Sequence, residues 1–399
     1  MARARKALPA RIDVAHLISA GVLASVCPRT LIEEVLAETG RASQRERRLP
    51  APAVVYYVMA LALWREAPLE EVLRVVCEGL QWLSDGKAGA VQASKSAISQ
   101  ARSRLGSEVM FELAQRVLRP LATPNAPGAW YRGLRVMAVD GSGMDVADEV
   151  ANAEFFGYPS ASRGQSAFPQ ARVLGLVECG THAVVAAAIA PYSRSEVAMA
   201  IELLPAKLRP DMLVLADRNF YSFKLWQAAC ATGAKLAWRV KSTLGLPVQR
   251  LLGDGSYLST VFHSEDRARK HGQTVRVIDY ALHDSATPTQ DSYRLVTNLL
   301  EAEAAPALEL AALYHERWEI EGVFDEFKTH LRSNSTVLRS KTPELVQQEL
   351  WGLLLAHFAI RQLMTQAAWP CGLDPDRLSF THAVRVIKRK LPHAAAIPP

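Results

Sequence analysis

The sequence predicts a mixed α/β protein, and three changes of pattern along the chain carry that expectation. Apolar residues recur at helical spacing up to about residue 106, a proline- and glycine-rich stretch at 120–133 resists regular structure, and beyond it short apolar runs alternate with helical segments. A chain of 399 residues exceeds what one compact core commonly holds, so two or three packed units are expected. With 49% hydrophobic and 22% charged residues, the composition excludes a wholly disordered chain.

The first unit, residues 1–119, reads as all-α. Leu31, Ile32, Val35 and Leu36 follow helical spacing, with breaks at Pro28, Gly40, Pro50 and Pro52. Its last segment, 94–105, opens on a capping serine and carries Lys95, Arg102 and Arg104, which suits a helix laid against DNA and equally an amphipathic helix with a wet basic face. The formal charge of +6, from 46 basic and 40 acidic residues, favours an acidic partner, of which nucleic acid is the commonest. Basic clusters at Arg3, Arg5, Lys6 and Arg11, at Arg45, Arg47 and Arg48, and at Arg385, Lys388, Arg389 and Lys390 suit phosphates or a solvated face.

A second domain begins after the linker. Residues 134–139 form a short apolar strand running into Asp140, 172–178 and 183–189 read as a hairpin, 195–208 as a helix, and 212–216 as a buried strand ending at Asp217. Strand, hairpin, helix, strand is the opening order of a ribonuclease-H-like α/β domain, assigned here to 134–240. Residues 241–300 turn β-rich and irregular, as an inserted β module would. Helical periodicity returns in 301–340, which completes the core, and 341–399 holds C-terminal helices suited to dimerisation.

Five cysteines lie far apart with no Cys-x-x-Cys spacing, so they read as reduced core thiols, and the histidines show no His-x-x-x-His pair that would indicate zinc. The longest apolar run, at 53–64, is too short to span a bilayer, which leaves a cytoplasmic, nucleoid-associated protein as the expectation and no membrane partner.

Phosphodiester cleavage calls for two divalent ions bridged by several carboxylates, and hard oxygen ligands select magnesium or manganese. Asp140 and Asp217 both follow buried strands, where the strand sets direction and the exit loop leaves access, although an Asp there also simply starts a turn. Further on, Tyr314, Arg317, Glu321 and Lys328 fall within about 60° of one another on an ideal helix. Such a mixed face is a poor core stripe and equally fits a salt-bridged surface. Glu316, Glu319, Asp325 and Glu326 lie close by, so spacing alone does not select the ligand.

With these residues in view, the chain resembles the DDE transposases of bacterial insertion sequences, specifically the IS-four type with its Tyr-Arg-Glu-Lys signature. Here the signature is Tyr314-His-Glu-Arg317-Trp-Glu-Ile-Glu321 with Lys328 following. Val139-Asp140-Gly141-Ser142 is similar to the family's first Asp segment, and Ala216-Asp217-Arg218-Asn219-Phe220-Tyr221-Ser222 to its second. Helical segments such as Ser94 to Arg102 extend the likeness to roughly 15–365.

The resemblance implies that Asp140, Asp217 and Glu321 bind two Mg2+ ions, with Mn2+ as a substitute, and that Tyr314, Arg317 and Lys328 contact phosphates near the transposon end. It implies cut-and-paste transposition by in-line attacks at phosphorus, with a hairpin intermediate, on double-stranded DNA that supplies both terminal inverted repeats and target, held by a homodimer in a synaptic complex. Arg239 and Lys241, alternating on one strand, are further candidates for DNA contact. Tyr257, Phe262 and Tyr280 are aromatics of the expected insertion, where the family stacks a ring on an unpaired base and where core packing is the ordinary role. A metal-dependent nuclease without strand transfer, and a non-catalytic DNA-binding relative, are the alternative readings.

Overall fold

The computed structural model describes residues 19–43, 49–83, 93–161, 164–281, 292–331 and 337–393. The N-terminal and 45–48 basic clusters lie outside these residues, as do the side chains of Arg389 and Lys390. Six helices come first: α1 (Ser19–Val26), α2 (Arg29–Glu38), α3 (Ala51–Leu63), α4 (Leu69–Leu83), α5 (Lys95–Leu105) and α6 (Glu108–Val117). Pro28 and Pro50 start α2 and α3 from extended backbone, where a missing N–H costs nothing. Ser94 caps α5 by accepting the Ala97 N–H at 3.3 Å. Helix α3 is buried from Val54 through Leu63, so it is apolar all round and central.

Next come β1 (Trp130–Tyr131), β2 (Leu134–Asp145), α7 (Val150–Phe156), the short pair β3 (Ser160–Ala161) and β4 (Gly164–Gln165), β5 (Gln170–Glu178) and β6 (Ala183–Pro191). They are followed by α8 (Glu196–Lys207), β7 (Met212–Ala216), α9 (Phe223–Ala231) and β8 (Lys235–Arg239), then β9 (Arg250–Leu251), β10 (Tyr257–Val261), β11 (Gln273–Ala281) and β12 (Ser292–Thr297). One ten-stranded sheet runs in the order β6-β5-β2-β7-β8-β12-β11-β10-β9, with β1 on β2. Among the strand pairs of the described residues, only β2 with β7 and β7 with β8 are parallel, and an isolated parallel bridge joins Val146 to Leu338.

Two expectations change here. Strand β2 does not stop at Asp140 but continues to Asp145, because β5 pairs with it well past that point; its parallel partner β7 leaves after the pair Val139 and Ala216. The β-rich stretch also forms no sheet of its own. Strand β12 closes onto β8 through Val296 opposite Trp238, so β9 to β12 prolong the core sheet. Alternating apolarity identifies a strand but not its partner.

The region after β12 holds α10 (Ala307–Tyr314), a 3₁₀ turn at His315–Arg317, α11 (Trp318–Asp325) and a π segment at Glu326–His330, and then α12 (Pro343–Ala368) and α13 (Phe380–His393). Alternate residues of β2 face different layers. Val136 and Ala138 join a core shared with α3, α11 and α12, whereas Met137 and Val139 join one shared with α8 and α9. No helix among the described residues is long and apolar enough to cross a membrane. Cys27, Cys77 and Cys179 are buried and outside any disulfide, Cys230 is half-buried, and Cys371 is exposed, so the last is not a core residue.

Candidate active site

The parallel register sets the first two carboxylates side by side. Val139 pairs with Ala216, so Asp140 and Asp217, each the next residue along, leave neighbouring strands together at about the 4.8 Å strand spacing. Asp140 Oδ1 accepts the Gly141 N–H at 2.8 Å. Its Oδ2 lies 3.4 Å from Arg317 Nη1, while Arg317 Nη2 donates to Glu321 Oε1 at 3.0 Å. Arg317, only 8% exposed in its side chain, therefore spans Asp140 and Glu321, and Glu321 itself is 44% exposed. Tyr314 is buried, and its hydroxyl donates to the Ala216 carbonyl at 3.3 Å, directly behind Asp217.

Burial pushes the Asp140 carboxyl up to about 6; the Gly141 N–H and Arg317 oppose that rise, and the charges of Glu196 and Asp217 add to it. Carboxylates crowded in this way are relieved by positive charge, and every donor is a hard oxygen, so Asp140, Asp217 and Glu321 fit divalent ions of the magnesium class.

The acidic neighbours of Glu321 separate in space. Glu319 turns to the β5–β6 hairpin, where it accepts the Gly180 N–H and approaches His182. Glu326 is buried between His357, at 2.7 Å, and Arg361. Burial would raise the Glu326 carboxyl, yet hydrogen bonds from His182 and His357 and the Arg361 charge hold it far below the usual carboxylate range. Of the acids on this segment, Glu321 is the one tied through Arg317 to Asp140.

The DNA candidates divide. Arg102 is 6% exposed and donates to Gln348 Oε1, Ser340 Oγ and the Leu345 carbonyl, so it fastens α5 to α12 and is no surface cation. The reason is helical phase: Arg102 lies on the stripe of Ile98, Ala101 and Leu105, and Arg104, two residues on, lies about 200° away on the exposed side with Ser99, Gln100 and Ser103. Lys95 is exposed at the first turn, and Lys241 and Lys328 are exposed too. Arg239 stacks over the Tyr293 ring at 4.2 Å on the Tyr314 side of the sheet. Tyr314 also departs from its expected role, since its buried hydroxyl is spent on Ala216. The 3₁₀ turn and π segment break the uniform 100° step from which one shared face was expected. Among the aromatics, Tyr257 is a core residue, Tyr280 stacks on Tyr293 at 5.4 Å, and Phe262 lies against Arg269.

Sequence reasoning missed Glu196 and Arg172, which adjoin the Asp140 strand; Ser195, the N-cap of α8, was the available signal for the first.

The fold sets paired acids at the end of a parallel strand pair, and the family matches make the protein an enzyme of DNA transposition. The Transposase DDE domain family matches residues 131–359 and the Insertion element 4 transposase N-terminal family matches 17–115, and the chain belongs to these DDE transposases of insertion sequences. Among its relatives, Transposase InsG for insertion sequence element IS4 of Escherichia coli (strain K12) is 30% identical over 369 residues, 90% of this chain and 80% of that protein. The Putative transposase InsZ of the same strain is 28% identical over 221 residues, 55% of this chain and 71% of its own. Among solved structures, the piggyBac transposase synaptic complex with hairpin DNA aligns with a TM-score of 0.49 and 11% identity, over 94% of this chain and 80% of that one. Domains of the DDE family generally use divalent metal ions.

Proposed function

We propose that Asp140, Asp217 and Glu321 are the metal ligands of a cut-and-paste transposase with a ribonuclease-H-like core, and that the ions are two Mg2+. The observation that carries this reading is the parallel register setting Asp140 beside Asp217, with Arg317 joining Asp140 to Glu321. Bound divalent ions supply the Lewis acidity that activates an attacking oxygen and offsets charge developing at phosphorus. Around them the chain does the positioning. The two strands hold Asp140 and Asp217 rigidly, and α11 delivers Glu321 from the opposite layer. Arg317 orients both carboxylates, and its Nε–H, buried and without a hydrogen-bond partner among the described residues, is not used by either of them.

Lys95, Arg104, Arg239, Lys241 and Lys328 contact phosphates of the double-stranded ends and target. A homodimer holding two inverted repeats makes cleavage conditional on synapsis, and a hairpin on the end joins the first cut to the second. A labelled transposon end, incubated with protein, Mg2+ and a target plasmid, tests the reading. Wild type gives joined products, and Asp217→Ala binds the end without cutting it. Hydrolysis with no joined product would favour the plain nuclease, and cutting by Asp217→Ala would remove the proposed metal site.

A further inference from the structure

We propose that Glu196, which lies outside the three-carboxylate signature, is a fourth acidic ligand of the same divalent-cation centre, reaching Asp140 from the other side of the sheet across Gly141. The inference rests on the metal reading of Asp140, Asp217 and Glu321.

Three features of the site point to it. First, Gly141 leaves the space that Glu196 fills: a Cβ at Gly141 would lie 2.5 Å from Glu196 Cδ and 2.6 Å from its Oε1. No side chain fits there, so the Glu196 carboxylate rests on the backbone segment that carries Asp140. Second, this position adjoins an opening. Strand β7 ends its pairing at Ala216, so beyond that point the β7 side of β2 has no strand to wall it off. Helix α8 packs on the layer of Met137 and Val139, opposite to α11, and its first residue is Glu196. The charges of Glu196 and Asp140 oppose each other across this gap.

Third, Glu196 has an ion pair but no hydrogen bond among the described residues. Its side chain is only 28% exposed, and its nearest cation is Arg172, whose Nη1 stands 3.6 Å from Oε1, beyond hydrogen-bond distance. Arg172 instead leans over the Tyr192 ring at 4.8 Å, and its Nε has no protein partner. A carboxylate that accepts no hydrogen bond among the described residues and faces a second carboxylate keeps its oxygens open to a cation. A divalent ion held by Asp140 supplies the missing charge and an oxygen-seeking partner together. The centre is then gripped from three directions: the sheet gives Asp140 and Asp217, α11 gives Glu321, and α8 gives Glu196. The competing account is that Glu196 merely complements the positive end of α8 and a neighbouring arginine.

Titration of Mn2+ into the full-length protein, followed by the electron paramagnetic resonance of the free ion, decides between them. Glu196→Gln keeps the shape of the side chain and is expected to weaken Mn2+ binding at least about tenfold or to lose one ion of the wild-type stoichiometry. Gly141→Ala keeps every acid but displaces the Glu196 carboxylate, and it is expected to weaken binding in the same direction. Asp217→Asn is the reference for the centre itself. If Asp217→Asn loses Mn2+ while Glu196→Gln binds it as wild type does, Glu196 is only a helix-terminal charge and the proposal falls. If neither substitution changes Mn2+ binding, the three-carboxylate reading fails first.

Discussion

Asp140 carries a conflict between stability and function. Its folded carboxyl is raised from an ordinary 3.8 to about 6, with burial as the leading cause. A carboxyl whose pKa is higher in the folded state contributes no penalty below about pH 4, and an increasing one as pH rises through 6, where ionising it in place becomes necessary. For the metal-free protein the penalty at neutral pH is at most roughly 3 kcal/mol. Asp140→Asn is therefore expected to raise the Tm of chelator-treated protein at pH 7.5, to leave it unchanged near pH 4, and to abolish end cleavage. Equal destabilisation at both pH values would contradict the burial argument. Asp217 and Arg317 show why the chemistry was partly legible in residue types alone: an acid after a buried strand and an arginine four residues before a glutamate are visible as text. What the text did not disclose is that one guanidinium serves both Asp140 and Glu321, since Asp140 and Arg317 meet only through folding.

Helix α5 shows how one element divides its cations. Arg102 points into the junction with α12, and the Gln348 amide returns hydrogen bonds to the Arg102 and Gly106 carbonyls at 3.0 and 2.8 Å. Arg102→Met is expected to cost about 3 kcal/mol or more, because it removes the cation facing the buried Glu349 carboxylate and leaves Gln348 and Ser340 short of a donor. Lys95→Ala with Arg104→Ala is expected to leave Tm unchanged. It should lower affinity for the element's terminal repeat and reduce the salt slope by about one for each phosphate that the helix no longer neutralises. Anisotropy titrations at several salt concentrations measure this, and an unchanged slope would remove α5 from the DNA face. The existence and approximate bounds of α5, β5, β6, α8 and β7 could be read from periodicity and caps. The interruption of the segment after Ala307 could not, because a 3₁₀ turn and a π segment arise where side chains must fit between sheet and α12, and local spacing records no such constraint.

At the scale of the molecule, the N-terminal helices and the catalytic sheet share one apolar core. Val58 of α3, Ala138 of β2, Val323 of α11 and Leu354 of α12 belong to a single continuous cluster. Helices α3 and α12 approach tightly at Gly352, where a Cβ would stand 2.7 Å from Val58 Cγ1 and 2.9 Å from the Val58 carbonyl oxygen. Gly352→Ala is expected to destabilise by about 1–3 kcal/mol, since neither helix backbone can give way cheaply. Because the core is continuous, far-UV circular dichroism and tryptophan fluorescence should report one coincident unfolding transition in both wild type and variant. A separate early transition of the helical unit would show that the shared core does not couple the two regions.

By itself the sequence determined the class of protein, because the ordered acids, the Tyr-Arg-Glu-Lys spacing and the sequence of strand and helix signals are local and survive being read one segment at a time. Tertiary structure alone decided which cations are spent inside, where Tyr314 points, that β9 to β12 prolong the core sheet, and that Glu196 lies over Gly141. Each of those depends on contacts between residues far apart in the chain, and helical phase or strand alternation specifies a face without specifying what will cover it.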